Sequence, residues 1–212
     1  VVEKCAVVPM LRDLKGDKKK LEVICPVIDG EKYICSFGYL GPNKMNKELF
    51  KAWSDSIALE SILVFVGAEG DEDYCKELRN LISDYGLEKR VIFTGWVDEK
   101  TYNLWLLKAT VAVQLRINSR GETSASLFDC FASNVPAIVN EHGDNASLPD
   151  FVVCKIPENF CSHHLSESLR LMIYDTAMRK KFAQHAYSFL SKYHSPELCA
   201  EKYFLAIEGF YN

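Results

Sequence analysis

At 212 residues, 48% of them hydrophobic, the chain is long enough for one substantial core and falls short of the roughly 250 residues at which cores divide. A formal net charge of -4 leaves no basic excess, so the attraction that dominates nucleic-acid binding is missing and neither DNA nor RNA is an expected partner. No run of about eighteen apolar residues and no secretory leader pattern occurs, which predicts a soluble, cytoplasmic domain with no transmembrane segment.

Residues 1–30 are irregular. An apolar Val7-Val8-Pro9-Met10 is followed by a run of charge from Lys15 to Lys20, which Asp17 interrupts, and the segment reads as a linker with a solvated face. From there, short runs rich in Val, Ile and Phe alternate with longer stretches of helical period, the pattern of strands buried on both faces by crossover helices. The predicted strands are residues 32–38, 61–67, 91–95, 111–115, 136–140 and 151–156, which together make a parallel sheet of about six strands. Predicted helices cover residues 44–56, 71–85, 99–109 and 124–133, with Leu78, Leu81, Ile82 and Tyr85 showing the spacing of a buried face. Asp71 and Asp98 are N-cap candidates, and Gly86 is a C-cap candidate. Beyond the last strand the chain turns wholly helical, over 163–175, 176–193 and 195–211. Ser195 stands at the N-cap and Pro196 at the first position of the final helix.

The eight cysteines are scattered, with no pair at the two-residue separation of zinc or redox sites, and several sit in strand-like runs. They read as reduced, small hydrophobes. Neither a GxSxG elbow nor an HExxH pair is present; His163 and His164 read as surface caps, and His142 as part of the turn 142–145.

In an open parallel sheet, ligands bind beyond the carboxyl ends of the strands, so chemistry is expected in the loops there. After the first strand, Gly38 and Gly41 permit close backbone approach and Lys44 adds a charge at a helix start, although the loop is neither GxGxxG nor a Walker A loop. The loop after the fourth strand is richer. Arg116, Arg120, Glu122, Thr123 and Ser124 surround Gly121 just before a helix whose N–H groups favour an anion, an arginine is suited to a bidentate contact, and Glu122 to a hydroxyl. Residues 119–140 thus read as a loop, helix and strand that hold a polar, phosphorylated ligand. Within the helix, Asp129 lies among Leu127, Phe128, Phe131 and Ala132, where a carboxylate is costly unless it is paired, faces the cleft or is exposed.

These landmarks, in order, resemble the donor-binding half of the group 1 (GT4-like) retaining glycosyltransferases: Phe37-Gly38-Tyr39-Leu40-Gly41-Pro42-Asn43-Lys44, Val64-Phe65-Val66-Gly67, Arg90 to Gly95, Gly121-Glu122-Thr123-Ser124 and Phe131 to Pro136. The resemblance runs from about Glu31 to Tyr211 and implies a Rossmann-like α/β domain with a helical C-terminus, one half of a GT-B fold. It makes residues 1–30 a linker from an N-terminal acceptor domain, 31–195 the nucleotide-sugar domain, and 196–212 a helix that packs back toward that other domain.

For the site, the resemblance implies that Lys44 contacts the donor diphosphate, that the loop around Gly121 to Ser124 cradles phosphates and sugar, and that Gly95 and Val97 lie near the base. The family uses two glutamates, one for the sugar and one for the ribose. The second position is Asp129, whereas the first falls on Gly121 with Glu122 beside it. Tyr39 stands where the family commonly has an arginine, a role open to Arg116 or Arg120, and Asn134 replaces a helix-ending glycine whose left-handed backbone Asn tolerates.

The implied activity is retaining transfer from a UDP-, GDP- or dTDP-sugar, with no metal or cofactor required, to a glycan or lipid-linked acceptor in cell-envelope or polysaccharide synthesis. The domain alone would bind donor without turnover. The location implied is cytoplasmic, or peripheral at the inner face of the membrane for a full-length protein. A non-catalytic nucleotide-sugar module and a GT-B sugar-nucleotide epimerase are the alternatives.

Overall fold

The computed structural model describes residues 6–13, 30–119 and 121–211. Its centre is a six-stranded sheet of β1 (Tyr33–Phe37), β2 (Ile62–Val66), β3 (Val91–Phe93), β4 (Ala109–Val113), β5 (Ala137–Asn140) and β6 (Cys154–Ile156). The strands lie in the order β3-β2-β1-β4-β5-β6, and every neighbouring pair is parallel.

Alternation along each strand sends residues to opposite faces. Ile34 joins one core, while Tyr33, Cys35 and Phe37 join the other. Helices α1 (Asn46–Ser54), α2 (Glu72–Asp84) and α6 (Ser162–Tyr174) cover the first face with Phe50, Trp53, Leu78 and Leu169. The second face is covered by α3 (Glu99–Lys108), α4 (Ala125–Ala132) and α7 (Thr176–Tyr193), through Trp105, Phe128, Phe131 and Leu190. Each large side chain so buried contributes roughly 1.5–3 kcal/mol. The Trp53 indole donates to the Ser61 hydroxyl (2.8 Å), so its polar atom is satisfied inside the core.

The α/β reading and the six parallel strands are confirmed, and so are the caps. Asp71 and Asp98 accept from the backbone N–H of Tyr74 and Thr101 (2.8 Å each), and Gly86 ends α2 with φ +65°. Asn134 takes the left-handed backbone, φ 56°, expected of a glycine substitute. Ser195 caps α8 (Pro196–Tyr211) by accepting from Leu198 (3.3 Å), and α8 exposes Tyr203, Phe204, Leu205 and Ile207. The free cysteines among the described residues are buried except Cys161, whose backbone N–H donates to His164 Nδ1.

Some boundaries differ. The helix expected over 44–56 is two elements: a 3₁₀ turn at Pro42–Lys44, then α1, separated by Met45 at φ 51°. Proline starts the turn, and the left-handed residue stops it from running into the helix. Strand β4 begins and ends two residues earlier than 111–115, which leaves Gln114 and Leu115 in the loop. Residues ahead of β6 form a turn closed by Val152 N–H onto the Pro149 carbonyl (2.9 Å), and a short helix α5 (Asp144–Ser147) follows His142 and Gly143. The charge run 15–20 lies outside the described residues.

Candidate functional site

Strand order reverses between β1 and β4, and the loops leaving these two strands flank that switch point as two walls, where an open parallel sheet offers its ligand crevice. The floor is made of backbone. Gly67, at φ +149°, lies so close to Gly38 that a Cβ on it would collide with the Gly38 carbonyl, and Gly67 bridges in turn to Gly95. Three glycines at the ends of β1, β2 and β3 therefore sit side by side, and a side chain at Gly67 would close the space between the first two.

Lys44 is half-buried, and its ammonium donates to the Phe37 carbonyl (3.3 Å). It also lies 3.3 Å from the end of the Gln114 side chain. Turned to suit its neighbours, the Gln114 amide accepts from the Phe37 N–H (2.9 Å) and donates to the Phe37 carbonyl (3.1 Å) and the Ser126 hydroxyl (3.3 Å). Burial, aided by the Arg116 guanidinium, pushes the Lys44 pKa down to about 8. A cation desolvated in this way gains strongly from an anion placed beside it.

The second wall is tied to the first. Ile117 N–H donates to the Asn43 carbonyl (3.2 Å), and the Asn118 amide donates to Asn43 Oδ1 (3.3 Å). Buried Asn140 holds the wall from below, accepting from Arg116 N–H (2.9 Å) and donating to the Arg116 carbonyl (2.6 Å). Arg116 Nη1 pairs with Glu122 Oε1 (2.8 Å), and both charges reach Lys44 electrostatically. Gly121 has φ +85° with open space on its Cβ side, and its N–H donates to Ser119 Oγ (3.1 Å). Ser119 in turn packs against Gly143, where any Cβ would strike it.

Helix α4 starts at the crevice. Ser124 is its N-cap and is buried; its hydroxyl accepts from Leu127 N–H (3.4 Å), so this residue serves the helix first. The opening N–H groups of α4 have no intrahelical partners and carry the positive end of its dipole. One turn along, the Asp129 side chain is 18% exposed and paired, so the exposed-position alternative is set aside. Its Oδ2 accepts from the Tyr102 hydroxyl (3.1 Å), and Oδ1 lies 3.5 Å from Arg12 Nε. Tyr102 lies edge-on to Phe37 (ring centroids 5.4 Å apart), the residue whose carbonyl takes Lys44. Burial among these groups, with Cys130 and Asp129 adding, raises the Tyr102 pKa far above its ordinary value and keeps the phenol a donor.

The structure thus brings Gly38, Lys44, Arg116, Glu122, Gly121, Thr123, Ser124 and Asp129 to one end of the sheet. Gly95 (φ +64°) lies across Gly67 from Gly38, Val97 packs partly into the second core, and the Trp96 between them is 79% exposed. Arg120 lies outside the described residues. His142, read as a turn residue, pairs its Nδ1 with Glu158 (2.6 Å). Tyr39 is exposed, with its ring laid over Gly70.

Four site residues escaped sequence reasoning: Gln114, Asn140, Tyr102 and Arg12. Asn140, and Gln114 beside it in the neighbouring loop, had a signal, being amides in otherwise apolar runs. Among the described residues, no group of three or more His, Cys, Asp and Glu side chains is placed to hold a metal, and no helix is long and apolar enough to cross a membrane.

The family model of the glycosyl transferases group 1 matches residues 17–189. In fold, the chain is similar to the C-terminal domain of the group 1 glycosyl transferase LpcC of Francisella tularensis, with a TM-score of 0.71 and 22% identity over 80% of this chain and 89% of that one. It is also similar to Anabaena Alr3699/HepE, solved in complex with UDP-glucose, with a TM-score of 0.74 and 18% identity over 85% of this chain and 49% of that one. WaaG, a glycosyltransferase of lipopolysaccharide biosynthesis, gives a TM-score of 0.70 and 14% identity over 82% and 46%. The chain therefore spans about half the length of the last two. No curated protein sequence matches it.

Proposed function

The chain belongs to the group 1 glycosyltransferases, and from that premise we propose that its crevice binds a nucleotide diphosphate sugar for transfer with retained configuration. The observation that carries this reading is the half-buried Lys44 at the switch point, a cation with lowered pKa beside the start of α4. A diphosphate placed there meets the ammonium, the first amides of α4 and the backbone around Gly121, all arranged before any charge develops. As the sugar–phosphate bond breaks, negative charge grows on the departing diphosphate, and Lys44, those amides and Arg116 stabilise it. Glu122, oriented by Arg116, positions the sugar, Asp129 takes the ribose, and Gly95 and Val97 border the base.

The diphosphate is that of UDP, GDP or dTDP; the complex of the similar Anabaena protein with UDP-glucose supports a uridine donor. The acceptor, a glycan or lipid-linked glycan of the cell envelope, would be bound through an N-terminal domain. The exposed apolar face of α8 would pack toward that domain. A second reading, a donor-binding module without transfer activity, is favoured by Gly121 at the family's first carboxylate position.

Calorimetric titration of UDP-, GDP- and dTDP-glucose into wild type and Lys44→Ala tests the proposal. Binding of at least one by wild type, weakened roughly 10- to 100-fold in the variant, is expected for a charged contact. Absence of binding to all three sinks it. Transfer by a chain with its N-terminal domain, lost in Glu122→Ala, separates the enzyme from the module.

A further inference from the structure

The stretch of residues 6–13 is pinned beside the crevice by the turn between α7 and α8 and by the first turn of α8. The Pro9 carbonyl accepts from Cys199 Sγ (3.3 Å), the Met10 carbonyl lies 2.9 Å from His194 Nδ1, and Arg12 N–H donates to the His194 carbonyl (3.0 Å). The His194 ring stands edge-on to Phe128 (4.6 Å between centroids), the residue next to Asp129. These contacts fix the Arg12 backbone and send its side chain to Asp129.

Arg12 Nε is buried, lies 3.5 Å from Asp129 Oδ1, and makes no hydrogen bond among the described residues. A buried N–H left without an acceptor is costly and uncommon, and beside a ligand crevice it points to a group that the ligand supplies. The neighbours restrict what that group is. A phosphate would be repelled by the Asp129 carboxylate, and a pure donor would leave Nε unpaired. A hydroxyl satisfies both, donating to the carboxylate while accepting from the guanidinium. Asp129 offers two oxygens, one beside Arg12 and one beside Tyr102, so two adjacent hydroxyls fit better than one.

Resting on the nucleotide-sugar reading above, we propose that Arg12 is a donor-binding residue that completes, with Asp129 and Tyr102, a clasp for the ribose hydroxyls, with Arg12 taking the 2′ hydroxyl and the Tyr102 side of Asp129 the 3′. The N-terminal segment is then a wall of the nucleotide site, and the clasp selects ribonucleotide donors over dTDP-sugars, which lack the 2′ hydroxyl. Phe37 joins the clasp to the phosphate end of the crevice, touching Tyr102 with its ring and Lys44 with its carbonyl.

The test is calorimetry on the full 212-residue chain with UDP, GDP and their 2′-deoxy counterparts, using wild type, Arg12→Ala and Arg12→Gln. Wild type should prefer a ribonucleotide over its deoxy form by about tenfold. Arg12→Ala should lose about that factor for the ribonucleotide while the deoxy form changes little, so that the preference collapses. Arg12→Gln, which keeps an N–H donor and fills similar space, should retain part of it. Equal weakening of both forms would reduce Arg12 to a structural role and overturn the proposal, as would unchanged affinities. No binding of either diphosphate by wild type overturns the nucleotide reading itself.

Discussion

The two walls of the crevice are held by different chemistry. The wall after β1 is fixed mainly by backbone: Gly38 N–H to the Val66 carbonyl and Leu40 N–H to the Ala68 carbonyl (2.9 Å each), Gly70 N–H to the Leu40 carbonyl (3.1 Å), and glycines in direct contact beneath. The wall after β4 depends on side chains, with Asn140 under Arg116, Arg116 on Glu122, Asn118 on Asn43, and Ser119 on Gly121. A backbone-built wall has few alternative arrangements, whereas one held by exposed ion pairs and amides can exchange partners when an anion arrives. The first wall suits an invariant group such as a diphosphate, and the second suits a group whose charge changes during transfer, where the diphosphate meets the part of a donor that reacts.

Breaking the first wall should cost most. Gly67→Ala puts a methyl into the Gly38 carbonyl at a backbone conformation that side chains rarely adopt. A loss of about 3 kcal/mol is expected in a denaturant midpoint, together with donor binding. Wild-type stability in that variant would show that the glycine contact is not what fixes the wall. Asn140→Ala attacks the second wall at a buried support and strands the Arg116 N–H and carbonyl, for about 2 kcal/mol in the same measurement. Arg116→Ala removes only a partly exposed ion pair and should change stability by under about 1 kcal/mol. Its larger effect should appear in kcat of a chain that carries out transfer. If Arg116→Ala unfolds the chain as readily as Gly67→Ala, the two walls do not differ as described.

The smallest expected effect concerns the N-terminal segment. Burial lowers the His194 pKa below its ordinary 6.5, against a partial rise from the Met10 carbonyl, so the unfolded chain binds the proton more readily. The stability tied to neutral His194 is present above 6.5 and is lost as the pH falls through 6.5 toward the lowered folded value. Thermal midpoints between pH 7.5 and 5 should show this decline, reduced in His194→Gln.

Most of the fold was legible in the sequence because buried parallel strands are short continuous apolar runs and helices carry their own caps. The order of the strands was not, since nothing in residues 109–113 says that they lie against 33–37. Lys44 was recognisable from its loop, although its 3₁₀ turn was hidden inside a helical period. Asp129 looked ambiguous because its partners come from elsewhere: Tyr102 lies 27 positions away, and Arg12 much further. Arg12 itself carried no signal, because its place depends on a histidine at the far end of the chain.

The central claim is that Lys44 meets a donor diphosphate, and the pH dependence of binding tests it most directly. With a pKa near 8 in the free protein, Lys44 is charged below that pH, and an anionic ligand favours the charged form. Affinity for whichever of UDP, GDP and dTDP binds tightest should therefore fall as the pH rises through about 8 in wild type and stay level in Lys44→Gln. Absence of binding, or the same pH profile in both proteins, would contradict the account.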